Sequence, residues 1–276
     1  MDLIIQGIEI ETSDLRQLAK LSGASKIERI NGNAFRLIDA SQRDRISSLC
    51  LEAELDFAFV GEHESLNQFR LIAMDMDSTL VGIETIDEIA DIHGMRKQVA
   101  EITEKAMYGE IDFSEGLIQR VALLKGLEHS VLQRVYDERL IFNPGAEKML
   151  KKLKVAGIKT MLISGGFTFF TDKLKDRLGL DYTFANTLET VNGRLTGRLL
   201  GEVFGAKGKG WALNKICNEL GFRKENLIAI GDGANDLSMF AEAGVSIAYH
   251  AKPIVQENAT YAINHVGLDG VINIFQ

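Results

Sequence analysis

Apolar and polar positions alternate from Leu3 to Ile10, then switch to three- and four-residue spacing at Leu15, Leu18, Ala19 and Leu21. Ser13-Asp14 precedes that second run and Gly23 follows it, so a strand followed by a helix is predicted. Lys26 to Ile38 reads as two short strands joined at Asn31-Gly32-Asn33, a hairpin turn by composition. A helix over Gln42–Glu52 and a strand over Leu55–Val60 complete a small α/β unit. It carries no cluster of reactive side chains, and the sequence leaves it open as a regulatory, dimerising or structural module.

From Arg70 the pattern changes. Leu71-Ile72-Ala73-Met74 is an unbroken apolar run ending in acidic residues, as expected of a parallel strand buried on both faces. Residues 82–143 then show helical spacing, as at Ile86, Ile89 and Ala90 or at Leu117, Val121 and Leu124, until Pro144-Gly145. Beyond that point strands are predicted at 158–163, 182–186, 227–231 and 245–249, and helices at about 146–156, 168–178, 209–220 and 236–243. Asn192-Gly193 marks a hairpin within 187–204. Repeated strand–helix units predict an α/β fold with a Rossmann-like, mostly parallel sheet covered by helices. The helical block interrupts that repeat directly after its first strand, as an inserted cap does. The expected division is 1–69 and 70–276, with the cap at about 82–143.

Composition narrows the function. Hydrophobic residues make up 46% of the 276 and charged residues 25%, which excludes a disordered chain. With 31 Lys and Arg against 39 Asp and Glu the net charge is −8, which argues against nucleic acid as a partner. No apolar run approaches the roughly 20 residues that cross a bilayer, and Met1-Asp2-Leu3 does not open a secretory signal. Cys50 and Cys217 lie far apart and the five histidines are scattered, so two reduced thiols in a cytoplasmic protein are expected, and no zinc centre.

Ligands of open parallel sheets sit at the carboxyl ends of the strands. The first such end reads Asp75-Met76-Asp77-Ser78-Thr79, the second Ser164-Gly165-Gly166, and a later one Gly231-Asp232-Gly233-Ala234-Asn235-Asp236. Lys207-Gly208-Lys209 opens the helix before the last of these. Taken singly, each piece is an ordinary solvated turn or loop. In order along one strand–helix repeat they converge on phosphate. Asp75, Asp77 and Asp232 would repel one another unless a hard cation joined them, and Mg²⁺ suits carboxylates, water and a phosphate oxygen. Ser164 and the amides after Gly165 can cradle phosphate oxygens at a helix N-terminus, and a lysine can neutralise the remaining charge.

The chain resembles the haloacid dehalogenase-like (HAD) superfamily and, within it, the phosphoserine phosphatase family of bacteria and archaea. The likeness runs nearly continuously from residue 70 to 276. It rests on Asp75 to Val81, Glu84 to Ala90, Ala106-Met107-Tyr108-Gly109, Arg120 to Lys125, Ser164-Gly165-Gly166-Phe167 and Gly231 to Met239. The resemblance implies that Asp75 is a nucleophile forming an aspartyl-phosphate and Asp77 the general acid and base. It implies Mg²⁺ held by the Asp75 and Asp232 carboxylates and the Asp77 backbone carbonyl. Lys209 matches the phosphate-binding lysine, with Lys207 as its rival. Asn235 matches a phosphate-side residue, and Asp236 a support for the loop. Glu84 matches the ammonium binder, Arg120 the carboxylate clamp, and Met107 and Phe113 the apolar shield.

The expected activity is hydrolysis of O-phospho-L-serine, the last step of L-serine synthesis. Two alternatives stay open at this point: another small-molecule phosphatase or phosphotransferase, for example on phosphohomoserine, and a non-catalytic amino-acid-binding regulator. Oligomeric state, a homodimer included, is not decided by the sequence.

Overall fold

Leu71 to Met74 are all fully buried because their side chains alternate between two separate cores. The computed structural model describes residues 1–61, 64–107 and 110–276, with the Met107 side chain outside that description, as are Tyr108 and Gly109 of the resemblance. The chain opens with β1 (Asp2–Gln6), α1 (Thr12–Ser22), β2 (Lys26–Asn31), β3 (Ala34–Ile38), α2 (Ile46–Glu52) and β4 (Asp56–Val60). These strands form an antiparallel sheet in the order β2-β3-β1-β4. Leu3, Ile5 and Leu37 on one face pack against Leu15 and Leu18 of α1 and Ile46 and Cys50 of α2. Ile4, Ala58 and Val60 on the other face join the large core of the remainder.

Then follow β5 (Leu71–Met74), four helices α3 (Thr85–Ile92), α4 (Arg96–Met107), α5 (Phe113–Leu123) and α6 (Ser130–Glu138), and α7 (Ala146–Val155). The remainder is β6 (Lys159–Phe167), α8 (Thr168–Leu178), β7 (Tyr182–Val191), β8 (Arg194–Leu200), α9 (Ala206–Leu220), β9 (Leu227–Gly231), α10 (Leu237–Glu242), β10 (Val245–Tyr249), α11 (Pro253–Glu257), β11 (Tyr261–Ile263) and α12 (Gly270–Ile274). The seven strands order as β11-β10-β9-β5-β6-β7-β8, parallel except for β8. Ile72, Met74, Leu162 and Ile230 face one core, while Leu71, Ala73, Met161 and Ala229 face the other, under α9 and α10. β5 lies at the centre of this sheet, so whatever follows Met74 emerges in the middle of one edge.

The structure departs from the hydrophobic pattern at a few ends, for local reasons. β1 stops at Gln6 rather than Ile10, because Asn33 Nδ2 donates to the carbonyls of Gly7 and Ile8 at 3.1 and 2.8 Å and turns the chain away. α2 begins at Ile46 rather than Gln42, since the N–H groups of Ser41 and Gln42 both donate to Ser22 O, at 3.0 Å. β6 extends through Ser164-Gly165-Gly166 to Phe167, so the glycine pair is a bulge inside a strand and not a loop after it. The short elements α11, β11 and α12 carry too few residues for a periodic signal.

Candidate active site

Asp75 leaves β5 with its N–H donating to Ile230 O on β9 at 3.0 Å, which fixes the first residue past the strand. The chain then tightens: the N–H groups of Leu80 and Val81 both donate to Met76 O at 2.9 Å. Ser78 sits in the left-handed region at φ 58°, a conformation that costs energy outside glycine. Asn143, on the chain's return from the helical block, donates from Nδ2 to Ser78 O and Thr79 O at 3.1 and 2.8 Å and holds that turn.

Lys209 and not Lys207 reaches this point. Lys209 is fully buried in the first turn of α9, and its Nζ lies 2.6 Å from Asp75 Oδ2 and 2.7 Å from Asp236 Oδ1; Lys207 is exposed. Asp236 Oδ2 accepts the N–H groups of Asp232 and Gly233 at 3.1 and 3.0 Å, so both its oxygens are engaged in shaping the loop. The other Asp75 oxygen accepts the N–H of Met76 at 2.7 Å. Thr79 Oγ1 donates to Asp232 Oδ1 at 2.7 Å, and Asn235 Nδ2 is 3.5 Å from Asp75 Oδ2.

Asp77 projects beside them. The N–H and hydroxyl of Thr85, the buried first residue of α3, donate to its two oxygens at 3.0 and 3.3 Å. A Cβ on Gly166 would stand 2.8 Å from Asp77 Oδ2, so only glycine lets the bulge of β6 come this close. The same bulge has its Gly166 N–H donated to Ser164 Oγ at 2.8 Å. From the helical block, the Phe113 ring seats against Gly165, where a Cβ would be 2.8 Å from Phe113 Cζ. Glu84 stands exposed at the rim, its Oε1 accepting the Ser78 hydroxyl at 2.7 Å. Arg120 donates from Nε to Gly116 O at 3.2 Å, which leaves its two terminal nitrogens directed elsewhere.

One cavity of about 150 Å³ is lined by Asp75, Asp77, Glu84, Phe113, Arg120, Ser164, Gly165, Asp232 and Asn235. Lys209 and Asp236 lie beneath it, behind Asp75. The residues singled out in the sequence are thus at or under this cavity, save the rival Lys207, which is exposed, and Met107, whose side chain lies outside the described residues. Thr79, Thr85 and Asn143 were not singled out, although each fixes a carboxylate or the turn that carries it. A larger cleft of about 680 Å³ lies behind the same turn, between the first sheet and the core, touching Ser78, Gly82 and Asn143. Its lining includes Lys148 and Asp269, paired at 2.7 Å, with His250 and His265.

Electrostatics set the state of the acids. Burial, with repulsion from Asp236, raises the Asp75 carboxyl well above its usual range, against the pull of Lys209. Burial and the Glu84 charge push Asp77 up to about 8, although Thr85 opposes the shift. Burial brings Asp232 to about 6. Burial alone would lower the Lys209 ammonium, but Asp236 and Asp75 hold it above its ordinary value. Oxygens of Asp75, Asp232 and Asp236 lie within 4.8 Å of one another, a hard all-oxygen donor set that fits a divalent metal ion. Asp75 and Asp232 line the cavity whereas Asp236 is fully buried beneath it, so the first two are the better placed to meet such an ion.

Comparison with known proteins places this geometry in context. Residues 69–244 match the haloacid dehalogenase-like hydrolase family, and residues 3–46 a domain of unknown function (DUF4072). A phosphoserine phosphatase of Polaromonas sp. (strain JS666) is 52% identical over 214 residues, 76% of this chain and 91% of the relative. The crystal structure of a probable phosphoserine phosphatase from Vibrio cholerae, in unliganded form, superposes with a TM-score of 0.87 at 37% identity, covering 99% of this chain and 86% of that one. A structure described as a phospho-aspartyl intermediate analogue of phosphoserine phosphatase aligns with a TM-score of 0.71 at 43% identity, covering 75% of this chain and 99% of that one. Among the described residues no helix is long and apolar enough to cross a membrane.

Proposed function

The chain belongs to the haloacid dehalogenase-like hydrolase family, and we propose that it hydrolyses O-phospho-L-serine to L-serine and phosphate through an aspartyl-phosphate on Asp75. The observation that carries the reading is the single small cavity with Asp75, Asp77 and Asp232 along with Glu84 and Arg120. The first group handles a phosphate ester. The second pairs one acid and one base, as a ligand bearing an ammonium and a carboxylate requires.

The Asp75 carboxylate attacks phosphorus in line, and the bond from phosphorus to the serine oxygen breaks. Asp77, held in its acid form by burial, protonates the departing alkoxide and releases L-serine. Asp77, now the base, takes a proton from a water that attacks phosphorus. The phosphorus–Asp75 bond breaks, phosphate leaves, and the carboxylate is restored. Lys209 offsets charge next to Asp75, and Ser164, the amides following Gly165 and Asn235 surround the phosphate oxygens. Asp75, Asp232 and the Asp77 backbone carbonyl would hold Mg²⁺, which supplies the positive charge that lets an anionic nucleophile meet an anionic ester.

Glu84 receives the substrate ammonium. Arg120, anchored through Nε on Gly116, presents its remaining donors to the carboxylate as a fork. Phe113 against Gly165 keeps water from the phosphoenzyme until serine leaves. The helical segment 82–143 acts as the cap of a catalytic unit spanning 70–276, and residues 1–69 form a separate module. The buried free thiols of Cys50 and Cys217 suit a reducing cytoplasm.

The test is release of phosphate and L-serine in equal amounts from O-phospho-L-serine with Mg²⁺, compared with phosphohomoserine and with added acceptor alcohols. Asp75→Asn and chelation of the metal should each abolish turnover. Arg120→Ala should raise KM more than it lowers kcat, because the clamp serves ground and transition states alike. Turnover by Asp75→Asn at the native rate would overturn the proposal.

A further inference from the structure

We propose that Asn186 is a positioning residue that sets the phosphate cradle and the seat of the cap together; this rests on the phosphate reading of the site. β6 and β7 pair in register from Met161↔Tyr182 to Ile163↔Phe184, and pairing resumes at Phe167↔Asn186. Between these two pairs the three residues Ser164-Gly165-Gly166 of β6 oppose the single Ala185 of β7, and that stretch is the bulge. A bulge takes backbone groups off the ladder, and those that are buried need partners from elsewhere. Asn186 stands where pairing resumes, 3% exposed, and its side-chain amide replaces what the ladder no longer supplies.

Its Nδ2 donates to Gly165 O at 2.9 Å and also to Phe204 O at 2.9 Å, while its Oδ1 accepts the Phe204 N–H at 2.7 Å. Phe204 lies just ahead of Gly205, the cap of α9, and α9 delivers Lys209 to Asp75. One buried amide thus spans the two segments that approach the phosphate position from opposite sides. It fixes the bulge that brings Ser164 and Gly165 to the cavity, and the entry of the helix that presents Lys209. Phe113 of the cap touches both tied segments, since a Cβ on Gly165 or on Gly205 would meet its ring at 2.8 or 2.9 Å. The slot that receives the cap therefore has its width set by the same three hydrogen bonds. Asn186 lies outside the cavity lining and acts only through these partners.

Asn186→Asp keeps the size but turns the donor into an acceptor facing two carbonyl oxygens. Asn186→Ser shortens the reach and leaves a folded alternative should the charged variant not fold. The measurement is the inhibition constant of inorganic phosphate and the kcat and KM for O-phospho-L-serine, on the full chain with Mg²⁺. We expect phosphate to bind about tenfold more weakly or worse in either variant, the cost of losing one to two buried hydrogen bonds, with KM rising as kcat falls. A residue with a merely structural role would reduce the amount of active enzyme and leave KM and the inhibition constant unchanged. That result in a folded variant overturns the inference. Wild-type protein that neither binds phosphate nor turns over phosphoserine would instead sink the active-site reading itself, and this inference with it.

Discussion

Lys209 Nζ meets Asp75 Oδ2 at 2.6 Å with no part of the lysine side chain open to solvent. A cation this deep is stable only when paired, and Asp236 completes the pairing from the other side at 2.7 Å. The lysine therefore does two things at once. It counters the burial and the Asp236 repulsion that raise the Asp75 carboxyl, which favours its ionised form, and it anchors the loop that carries Asp232 through Asp236.

Asp236→Asn tests that arrangement. The amide can satisfy either the ammonium of Lys209 or the N–H groups of Asp232 and Gly233, and its NH₂ must oppose the other. Breaking a buried pair costs about 3–5 kcal/mol, so urea denaturation of the metal-free variant should show a loss of that size. Misplacing the lysine and the Asp232 loop should lower kcat on the order of a hundredfold. A stability change under about 1 kcal/mol would show that Asp236 does not carry the loop.

The pH dependence of turnover tests the proposed role of Asp77 as the acid of the first half-reaction. Its carboxyl is pushed up to about 8 by burial and by Glu84, so it is an acid at neutral pH and can protonate the leaving alkoxide. As pH rises through about 8 the proton is lost, and kcat/KM for phosphoserine should fall along that limb. Glu84→Gln removes a repelling charge, so the limb should shift to lower pH whatever happens to its height. A pH–rate profile of both proteins decides it; a shift in the opposite direction would contradict the assigned cause.

Removing the metal should make stability pH-dependent in a definite sense. Unfolded aspartates titrate near about 3.9, whereas burial raises Asp75, Asp77 and Asp232 in the folded chain, the last to about 6. The folded state thus binds more protons between these limits, and its stability is greatest below the unfolded value and declines as pH rises through the folded values. A divalent ion held by these carboxylates would take the place of the protons, so the stabilising effect of added Mg²⁺ should grow from about pH 5 to about pH 8. Thermal unfolding with Mg²⁺ and with EDTA across that range is the check. Equal stabilisation at every pH would mean that the ion binds away from these carboxylates.

What the sequence made legible follows from distance along the chain. The four unbroken apolar residues before Asp75 mark a doubly buried strand without help from any partner. The choice between Lys207 and Lys209 was also present in the pattern. Two residues apart on a helix point roughly 200° away from each other, and Lys209 precedes the buried Ala212 and Leu213 by three and four positions, on their face. Asn143 gives no such sign. Its targets, Ser78 and Thr79, lie across the whole helical block, and an asparagine before Pro144 reads as an ordinary turn residue. The bulge in β6 was likewise hidden, because Ser-Gly-Gly after an apolar run looks like a strand's end until β7 resumes pairing beyond it.

The junction between the first sheet and the core yields the last prediction. Asp56, at the start of β4 and 3% exposed, accepts the N–H groups of Asn264, His265 and Val266 at 2.6, 3.1 and 3.0 Å. These follow β11 at the edge of the seven-stranded sheet, so one carboxylate gathers three backbone donors that the ladder has released. Tyr261 reinforces the junction by donating its hydroxyl to Phe59 O at 3.3 Å and to Glu64 at 2.6 Å, and Asn273 donates to Gln6 Oε1 at 2.9 Å. Asp56→Ala strips all three amides of their acceptor at once. With a penalty of about 1–3 kcal/mol for each buried group left unsatisfied, and water able to reach part of the site, a loss on the order of 3 kcal/mol is expected. The active cavity draws none of its lining from this junction, so kcat and KM of the folded variant should stay near native values. A fall in stability with unchanged kinetics would make residues 1–69 a rigid support for the catalytic unit. Altered KM with native stability would instead show that the junction communicates with the site.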